Sequence, residues 1–236
     1  MSNDYFIFKH FTVNQEGCPF KVGTDGVLLG ACANVSGKKK ILDIGTGTGL
    51  ISLMLAQRCK AEITAIEPDP NSFLQASANI RSSMWADRII LKNCLLQNLE
   101  HFDGLFNLIV CNPPYFIASL VNPDPSRAFA RHNNSLTHQD ILRGVSRLLA
   151  PDGLLQLILP PDEGNRFMAK ASEYGFFCNS ILKIRSVPSS GIKRVILGFT
   201  RQKIDRVESC LTIEKGRRHE YTEEYIRLTK DFYIKF

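Results

Sequence analysis

Long apolar runs are missing from this sequence. No stretch of its 236 residues approaches the roughly 20 apolar side chains that a helix needs to cross a bilayer, which excludes a helical membrane protein. The first residues, Met1 to Asp4, also lack the basic flank and apolar run of a secretory signal. We therefore expect the chain to work in the cytoplasm.

Closely spaced cysteines are also missing, although the chain has seven. No two of them have the two-residue spacing of zinc ribbons and redox pairs. An odd number without close pairs favours reduced thiols that pack in the interior, and it predicts no metal site. The seven are Cys18, Cys32, Cys59, Cys94, Cys111, Cys178 and Cys210.

The excess of positive charge is small. There are 29 lysines and arginines against 23 aspartates and glutamates, which gives a formal net charge of +6. Such a charge attracts polyanions, including nucleic acids, without identifying one.

Short β-rich apolar runs alternate with helical stretches from residue 40 onward. This order is typical of an α/β protein with a mostly parallel sheet covered by helices on both faces. The clearest strands are Lys40 to Ile44, Glu62 to Ile66, Arg88 to Lys92, Phe106 to Cys111 and Leu154 to Leu159, and the helices lie near Leu50 to Arg58, Pro70 to Arg81, Gln139 to Leu149 and Glu163 to Glu173.

The end of the sheet differs from its beginning. The runs Phe176 to Val187 and Ile192 to Thr200 flank Pro188-Ser189-Ser190-Gly191, which predicts a hairpin of two antiparallel strands. Five parallel strands followed by such a hairpin are not the six-stranded arrangement of nicotinamide dehydrogenases.

Three alternate glycines, Gly45, Gly47 and Gly49, follow the first buried strand and precede an apolar helix. Glycine there permits a tight turn and a close approach of the backbone to a ligand. The loop does not have the G-x-G-x-x-G spacing of a pyrophosphate-binding loop, because Leu50 rather than glycine stands three residues after Gly47. Asp43 at the end of the strand attracts an ammonium group and repels a phosphate, so we expect a cofactor with a cationic head. Glu67 ends the next strand, where an acidic side chain accepts ribose hydroxyls.

The fourth strand ends in Asn112-Pro113-Pro114-Tyr115, at the edge where open α/β sheets bind their ligands. The prolines withdraw two backbone donors, so neighbouring carbonyls remain free to face a ligand. The Asn112 side-chain oxygen and the Pro113 carbonyl are suited to accept the two N–H groups of a planar amine, and Tyr115 offers an aromatic face for stacking. Two acceptors off the ring plane would make that amine more nucleophilic, which is catalysis by positioning and electrostatics.

These motifs resemble the site of class I S-adenosylmethionine-dependent methyltransferases, whose sheet has seven strands and ends in an antiparallel hairpin. The resemblance implies that Asp43, the three glycines and Glu67 bind the cofactor. It departs after the third strand, where the usual acidic residue near the cofactor's adenine is absent. Asn93, Cys94 or a backbone amide would take its place.

The chain also resembles the bacterial tRNA1(Val) adenine-37 N6-methyltransferases. This resemblance extends almost end to end and includes the segment Phe20 to Gly30, the Asn-Pro-Pro-Tyr motif and the segment Tyr221 to Tyr233. It implies methylation of an adenine in tRNA, with Asn112 also at the cofactor and with Lys21, Thr24 and Asp25 near the cofactor's methionine end. Gly23 to Gly30 also fits an apolar helix capped by Thr24 or Asp25.

The resemblance implies a methyltransferase core over residues 38–204. Residues 1–37 would form an N-terminal extension packed on the cofactor site, with a strand and a helix, and residues 205–236 a C-terminal extension of the same domain. Three alternatives remain open: methylation of a release-factor glutamine, methylation of a base amine in rRNA, and a non-catalytic RNA-binding protein that kept a vestigial cofactor fold.

Basic residues give the RNA interpretation weak independent support, because lysines and arginines contact phosphates. One group flanks the predicted hairpin and another follows it. The long loop Phe116 to Leu136 contains residues suited to hold a base that has been flipped out of its stack. The residues concerned are Lys183, Arg185, Lys193 and Arg194, then Lys215, Arg217, Arg218 and His219, and in the loop Phe116, Arg127, Phe129 and Arg131.

Overall fold

The predicted strands lie in one eight-stranded sheet. The computed structural model describes residues 3–16, 18–19, 21–99, 104–114 and 136–236. The strand order is β10-β8-β9-β7-β6-β3-β4-β5, and β9 alone runs antiparallel to its neighbours β7 and β8. The strands are β3 (Lys40–Ile44), β4 (Glu62–Ile66), β5 (Ile89–Lys92), β6 (Phe106–Cys111), β7 (Leu149–Leu159), β8 (Phe177–Arg185), β9 (Arg194–Thr200) and β10 (Val207–Thr212).

Helices cover both faces of this sheet and bury two apolar layers. One layer lies beneath α1, α2, α3 and α6, and the other beneath α4 and α5. The helices are α1 (Thr24–Cys32), α2 (Leu50–Arg58), α3 (Pro70–Arg81), α4 (His138–Leu148), α5 (Pro161–Glu173) and α6 (Glu223–Thr229).

Local sequence explains where several helices begin. The predicted capping box is present at α4: the Thr137 hydroxyl accepts from the Asp140 N–H, and the Asp140 carboxylate accepts from the Thr137 N–H. At α3, Asp69 accepts from the Ser72 N–H at 2.8 Å and Pro70 occupies the first helical position.

The N-terminal segment has one strand more than expected. Strands β1 (Tyr5–Ile7) and β2 (Thr12–Asn14) form a separate antiparallel hairpin. Helix α1 follows and packs closely on α2, since a Cβ at Gly30 would lie 2.7 Å from the Met54 sulfur. The N-cap of α1 is Gly23 without a side-chain hydrogen bond, so the expectation of a cap at Thr24 or Asp25 is wrong.

Two further differences concern the sheet. The seven expected strands are present, and β10 adds an eighth at the edge, parallel to β8. Strand β7 begins at Leu149 rather than Leu154, because the ladder with β6 continues across an irregularity between Phe106 and Leu108.

All seven cysteines lie in the described part of the chain and are free thiols. Within the same residues, no three histidine, cysteine or acidic side chains are grouped as a metal ion requires. None of the described helices combines the length and the apolar character of a membrane span.

Candidate active site

The glycine loop after β3 has left-handed backbone at each of its glycines. Gly45, Gly47 and Gly49 have φ angles of 68°, 57° and 84°, a region that other residues adopt at a cost. The N–H groups of Gly45 and Thr46 both donate to the Ile66 carbonyl at 3.0 Å, which fixes the loop to the end of β4. A Cβ at Gly45 or Gly47 would meet no atom within 4 Å. Open space therefore lies against this backbone, as the approach of a ligand requires.

Asp43 lies beneath the glycine loop, completely buried. Its Oδ2 accepts hydrogen bonds from the Thr46 hydroxyl at 2.6 Å and the Ser52 hydroxyl at 2.7 Å. Its Oδ1 is buried and has no hydrogen-bond partner among the described residues. Burial raises the pKa of Asp43, and the two hydroxyls oppose that rise by stabilising the anion.

This arrangement fits a positively charged ligand. A buried carboxylate with one unpartnered oxygen carries an incompletely compensated negative charge, and a cation above the loop would offset it. Because Oδ1 is enclosed, Asp43 would attract such a ligand through its charge and would support the loop through Thr46.

Glu67 links the two loops at this end of the sheet. Its Oε2 accepts from the Gly47 N–H at 2.8 Å and its Oε1 from the Asp69 N–H at 2.9 Å. The side chain is 7% exposed, and burial raises its pKa. Each oxygen keeps a second lone pair, so the carboxylate remains able to accept a hydroxyl from a ligand.

Asn93 and Cys94 follow β5 on the far side of Glu67. The Asn93 amide donates to the carbonyls of Glu67 at 2.8 Å and Pro68 at 3.2 Å, so it orders the loop after β4. Cys94 is half-buried, and burial raises the pKa of its thiol. Both lie at the carboxyl edge of the sheet, where the sequence predicted a contact to a cofactor ring.

The three N-terminal candidates occupy separate positions. Lys21 is exposed, with its Nζ 3.6 Å from the Asp4 carboxylate. Thr24 is the exposed first residue of α1. Asp25 accepts a hydrogen bond at 2.7 Å from Arg194 at the start of β9, which ties the first turn of α1 to the carboxyl edge of the parallel strands.

Asn112 lies on the strand next to the one that leads into the glycine loop. The paired residues Ile44 and Cys111 end the β3–β6 ladder, so the chain leaves β3 at Gly45 and β6 at Asn112 on adjacent strands. Asn112 is half-buried, Pro113 is buried and Pro114 is exposed. Tyr115 and the loop residues Phe116, Arg127, Phe129 and Arg131 lie outside the described residues, as does Phe20.

A cavity of about 450 Å³ borders this motif on the β7 side, away from the glycine loop. Its polar lining includes His138, whose Nε2 lies 3.5 Å from the Glu163 carboxylate. Burial lowers the pKa of His138, which favours the neutral ring. The described lining residues are Pro113, Pro114, Leu136, Thr137, His138, Gln139, Leu159, Glu163, Arg166 and Lys170.

Comparison with known proteins identifies the family of this chain. The family model "Methyltransferase small domain" matches residues 22–166. A protein of Phocaeicola vulgatus is 47% identical over 236 residues, with 99% of each chain covered, and one of Trichodesmium erythraeum is 42% identical with both chains covered in full. Both are named tRNA1(Val) (adenine(37)-N6)-methyltransferase.

This chain belongs to that family. Solved structures agree on the fold: a predicted O-methyltransferase of Agrobacterium tumefaciens has a TM-score of 0.64 at 20% identity, covering 88% of this chain and 96% of the other. A ribosomal protein L11 methylase of Lactobacillus delbrueckii has a TM-score of 0.55 at 19% identity, covering 80% and 84%. At these identities the likeness shows the class I methyltransferase fold alone.

Sequence reasoning missed three polar side chains that order the site of this family member. Thr46 and Ser52 bind Asp43, and Asn79 on α3 donates to the Thr48 carbonyl at 2.9 Å and to the Asn14 carbonyl at 2.8 Å. Asn79 thus joins the glycine loop to the N-terminal hairpin. A signal for Ser52 was present, since it is a lone hydroxyl in the apolar first turn of α2.

Proposed function

We propose that this chain transfers a methyl group from S-adenosylmethionine to the N6 amine of an adenine in tRNA, with adenine 37 of tRNA1(Val) as the target. The main support for this proposal is the pairing of Ile44 with Cys111, which brings the glycine loop and Asn112 to adjacent strand ends. The full-length relatives that carry this activity in their names support the choice of substrate.

The cofactor would lie over the carboxyl ends of β3 and β4. S-adenosylmethionine supplies a methyl group on a positively charged sulfonium. Asp43 suits the charge, and the open backbone of Gly45 and Gly47 suits the close approach, while Gly49 packs against Ala76 and Ile80 and completes the turn. Glu67 would accept the ribose hydroxyls. We assign Lys21, Thr24 and Asp25 to the methionine end, and Asn93 or Cys94 to the adenine ring.

The target amine would be bound by Asn112 and Pro113. The Asn112 side-chain oxygen and the Pro113 carbonyl would each accept one N–H, which would orient the nitrogen lone pair toward the methyl group, and the proposed role of Tyr115 is to stack on the base. This pair of acceptors favours a pyramidal, more nucleophilic nitrogen. The reaction needs no strong base, because the proton that the amine loses after attack passes to water.

The working unit comprises the core over residues 38–204 together with both extensions. Helix α1 packs on α2 directly behind the glycine loop, and β10 extends the sheet. We expect the protein to work in the cytoplasm, where its tRNA substrate would be present.

The direct test is transfer of a radiolabelled methyl group to total tRNA from a strain that lacks the protein, followed by nucleoside analysis. We expect label in N6-methyladenosine. Release factor and rRNA from the same strain are assayed in parallel, and label in either of them with none in tRNA would contradict the proposal. Calorimetry with S-adenosylmethionine excludes a non-catalytic binder if heat of binding is measured, and absence of heat would favour that alternative.

A further inference from the structure

A short hairpin extends the eighth strand beyond the sheet. Residues 213–222, which we call the basic hairpin, follow β10 directly. Glu214 and Tyr221 form an antiparallel bridge, and the Lys215 N–H donates to the Glu220 carbonyl at 2.7 Å. The tip is Gly216-Arg217-Arg218-His219. Two arginines are thus displayed at the end of an ordered arm.

The direction of β10 brings this arm to the active edge of the sheet. Strand β10 runs parallel to β8, and the carboxyl ends of β3, β6, β7, β8 and β10 face the same edge. Four strand spacings of about 4.8 Å separate β6 from β10, so the arm emerges roughly 19 Å from the strand that ends at Asn112. It lies on the opposite side of β6 from β3 and β4, where the cofactor would bind.

The structure separates the basic residues at this edge into two groups. Lys183 is held by Glu208 at 2.7 Å, and Arg194 by Asp25 at the same distance. These pairs connect strands and helices of the fold. Their charges are therefore partly neutralised within the protein.

The tip of the basic hairpin is different. The Arg217 side chain is 86% exposed and only loosely associated with Glu220, at 3.8 Å. Lys215 and Arg218 are exposed and have no ion pair within the part of the chain that the structure describes. Of the two acids in the hairpin, Glu214 accepts from the His219 N–H at 2.8 Å and Glu220 lies beside Arg217. Cations therefore project at the tip.

Contacts within the protein hold the arm in its conformation. His219 has a φ of 68°, the one positive φ among the described residues that are not glycine. Such a conformation persists where surrounding contacts enforce it, and here the bond to Glu214 does so. Tyr221 anchors the base by stacking on Tyr225 with ring centroids 5.1 Å apart. A preformed arm loses little conformational freedom when it binds.

We propose that the basic hairpin binds the phosphate backbone of the tRNA, with Arg217 and Arg218 as the contacting residues. This rests on the proposed function, because it takes tRNA as the substrate. RNA whose target adenine lies at Asn112 would extend over the β7 to β10 side of the edge, since the cofactor occupies the other side. The arm would then contact phosphates several nucleotides from the target and contribute affinity without contacting the reacting atoms.

The test compares Arg217→Ala/Arg218→Ala with a matched control, Lys60→Ala/Arg81→Ala. Both residues are exposed and lie toward the amino ends of the parallel strands: Lys60 precedes β4, and Arg81 is the last residue of α3, before β5. Binding of tRNA1(Val) transcript is measured at several salt concentrations between 50 and 200 mM. Affinity for S-adenosylmethionine is measured alongside and should be the same in all variants.

Two lost phosphate contacts should reduce the slope of log affinity against log salt by about 1.5. Raising salt from 50 to 200 mM would then weaken the wild type about 8-fold more than the hairpin variant. Arg217→Lys/Arg218→Lys should keep most of the slope. Equal slopes for the wild type and the hairpin variant, with methylation of tRNA intact, would overturn the hairpin proposal alone. A wild type that neither binds nor methylates tRNA would overturn the proposed function as well.

Discussion

The charged residues on the two sides of Asn112 differ in burial and in sign. On the side of β3 and β4, Asp43 and Glu67 are buried and held by hydroxyls and backbone N–H groups. On the side of β8 and β10, charges form exposed ion pairs or project freely at the tip of the basic hairpin. In the proposed function, a small cationic cofactor would face an enclosed negative charge, and a polyanion would face exposed positive charges.

Salt concentration should affect ligand affinity differently on these two sides. Exposed charges are screened at ionic strengths near 0.1 M, where the Debye length is about 10 Å, whereas buried charges are screened much less. We therefore expect tRNA affinity to depend steeply on salt and cofactor affinity to depend on it weakly. The variants below change Asn112 and the buried side, and the hairpin variants described above change the exposed side.

The largest effect is expected at Asn112, which lies between the two sides. Asn112→Ala removes an acceptor for the target amine and should lower turnover by about 10²–10³-fold, as the loss of a group that stabilises the transition state does. Cofactor affinity should stay close to that of the wild type. Single-turnover methyl transfer and calorimetry measure the two quantities.

Asn107 at the other end of β6 provides the matched control. Its side chain accepts from the N–H groups of Lys39 and Lys40, each at 3.2 Å, so Asn107→Ala removes hydrogen bonds far from the site. Its turnover should be near normal under conditions where the variant is folded. Near-normal turnover of Asn112→Ala would exclude the proposed binding of the amine.

The next largest effect is expected beneath the glycine loop. Asp43→Asn keeps the shape of the side chain and removes the buried charge. Interactions with charged groups contribute about 1.5–3 kcal/mol, so S-adenosylmethionine should bind about 10–150-fold more weakly. Calorimetry measures this, and unchanged affinity would contradict the role of Asp43 in attracting a cation.

A smaller effect is expected for the hydroxyl that supports Asp43. Ser52→Ala removes one donor to Oδ2, which should raise the pKa of Asp43 further and weaken cofactor binding about 2–10-fold, from about 0.5–1.5 kcal/mol. Ser146→Ala is the control, since that hydroxyl only donates to the Leu142 carbonyl in α4. If both serine variants bind the cofactor equally well, Ser52 has no part in the site.

The smallest effect concerns stability and pH. Burial raises the pKa of Asp43 above its value in the unfolded chain, so the folded state binds a proton more readily. The resulting contribution to the free energy of unfolding is fully present below about pH 4 and is lost as pH rises through the raised pKa. Denaturant unfolding without cofactor, at several pH values, should show a smaller loss for Asp43→Asn than for the wild type.

The sequence predicted the cofactor side well because its signals are local. Strands β3, β4 and β6 have the expected bounds, since each is a short apolar run buried on both faces of the sheet. The left-handed turns at Gly45, Gly47 and Gly49 follow from glycine itself. Likewise Thr137 and Asp140 form their capping box from residues only three apart.

The β10 side was predicted less well because its signals are not local. Residues Val207 to Cys210 are exposed, so this edge strand has no alternation of buried and exposed side chains and exists through its pairing with β8. Helix α6 was missed although Thr222 caps it and two glutamates open it, which is a recognisable start signal. The lone hydroxyl of Ser52 stands out in the sequence, but its bond to Asp43, like that of Thr46, depends on how α2 packs under the loop.

The central claim is that this site methylates the amine of one adenine in tRNA. The most direct measurement is labelled methyl transfer by the purified protein to two tRNA1(Val) transcripts that differ only in adenine or guanine at position 37. We predict one methyl group per adenine transcript, recovered as N6-methyladenosine, and none on the guanine transcript. Equal labelling of both transcripts, or label in any other nucleoside, would contradict the account.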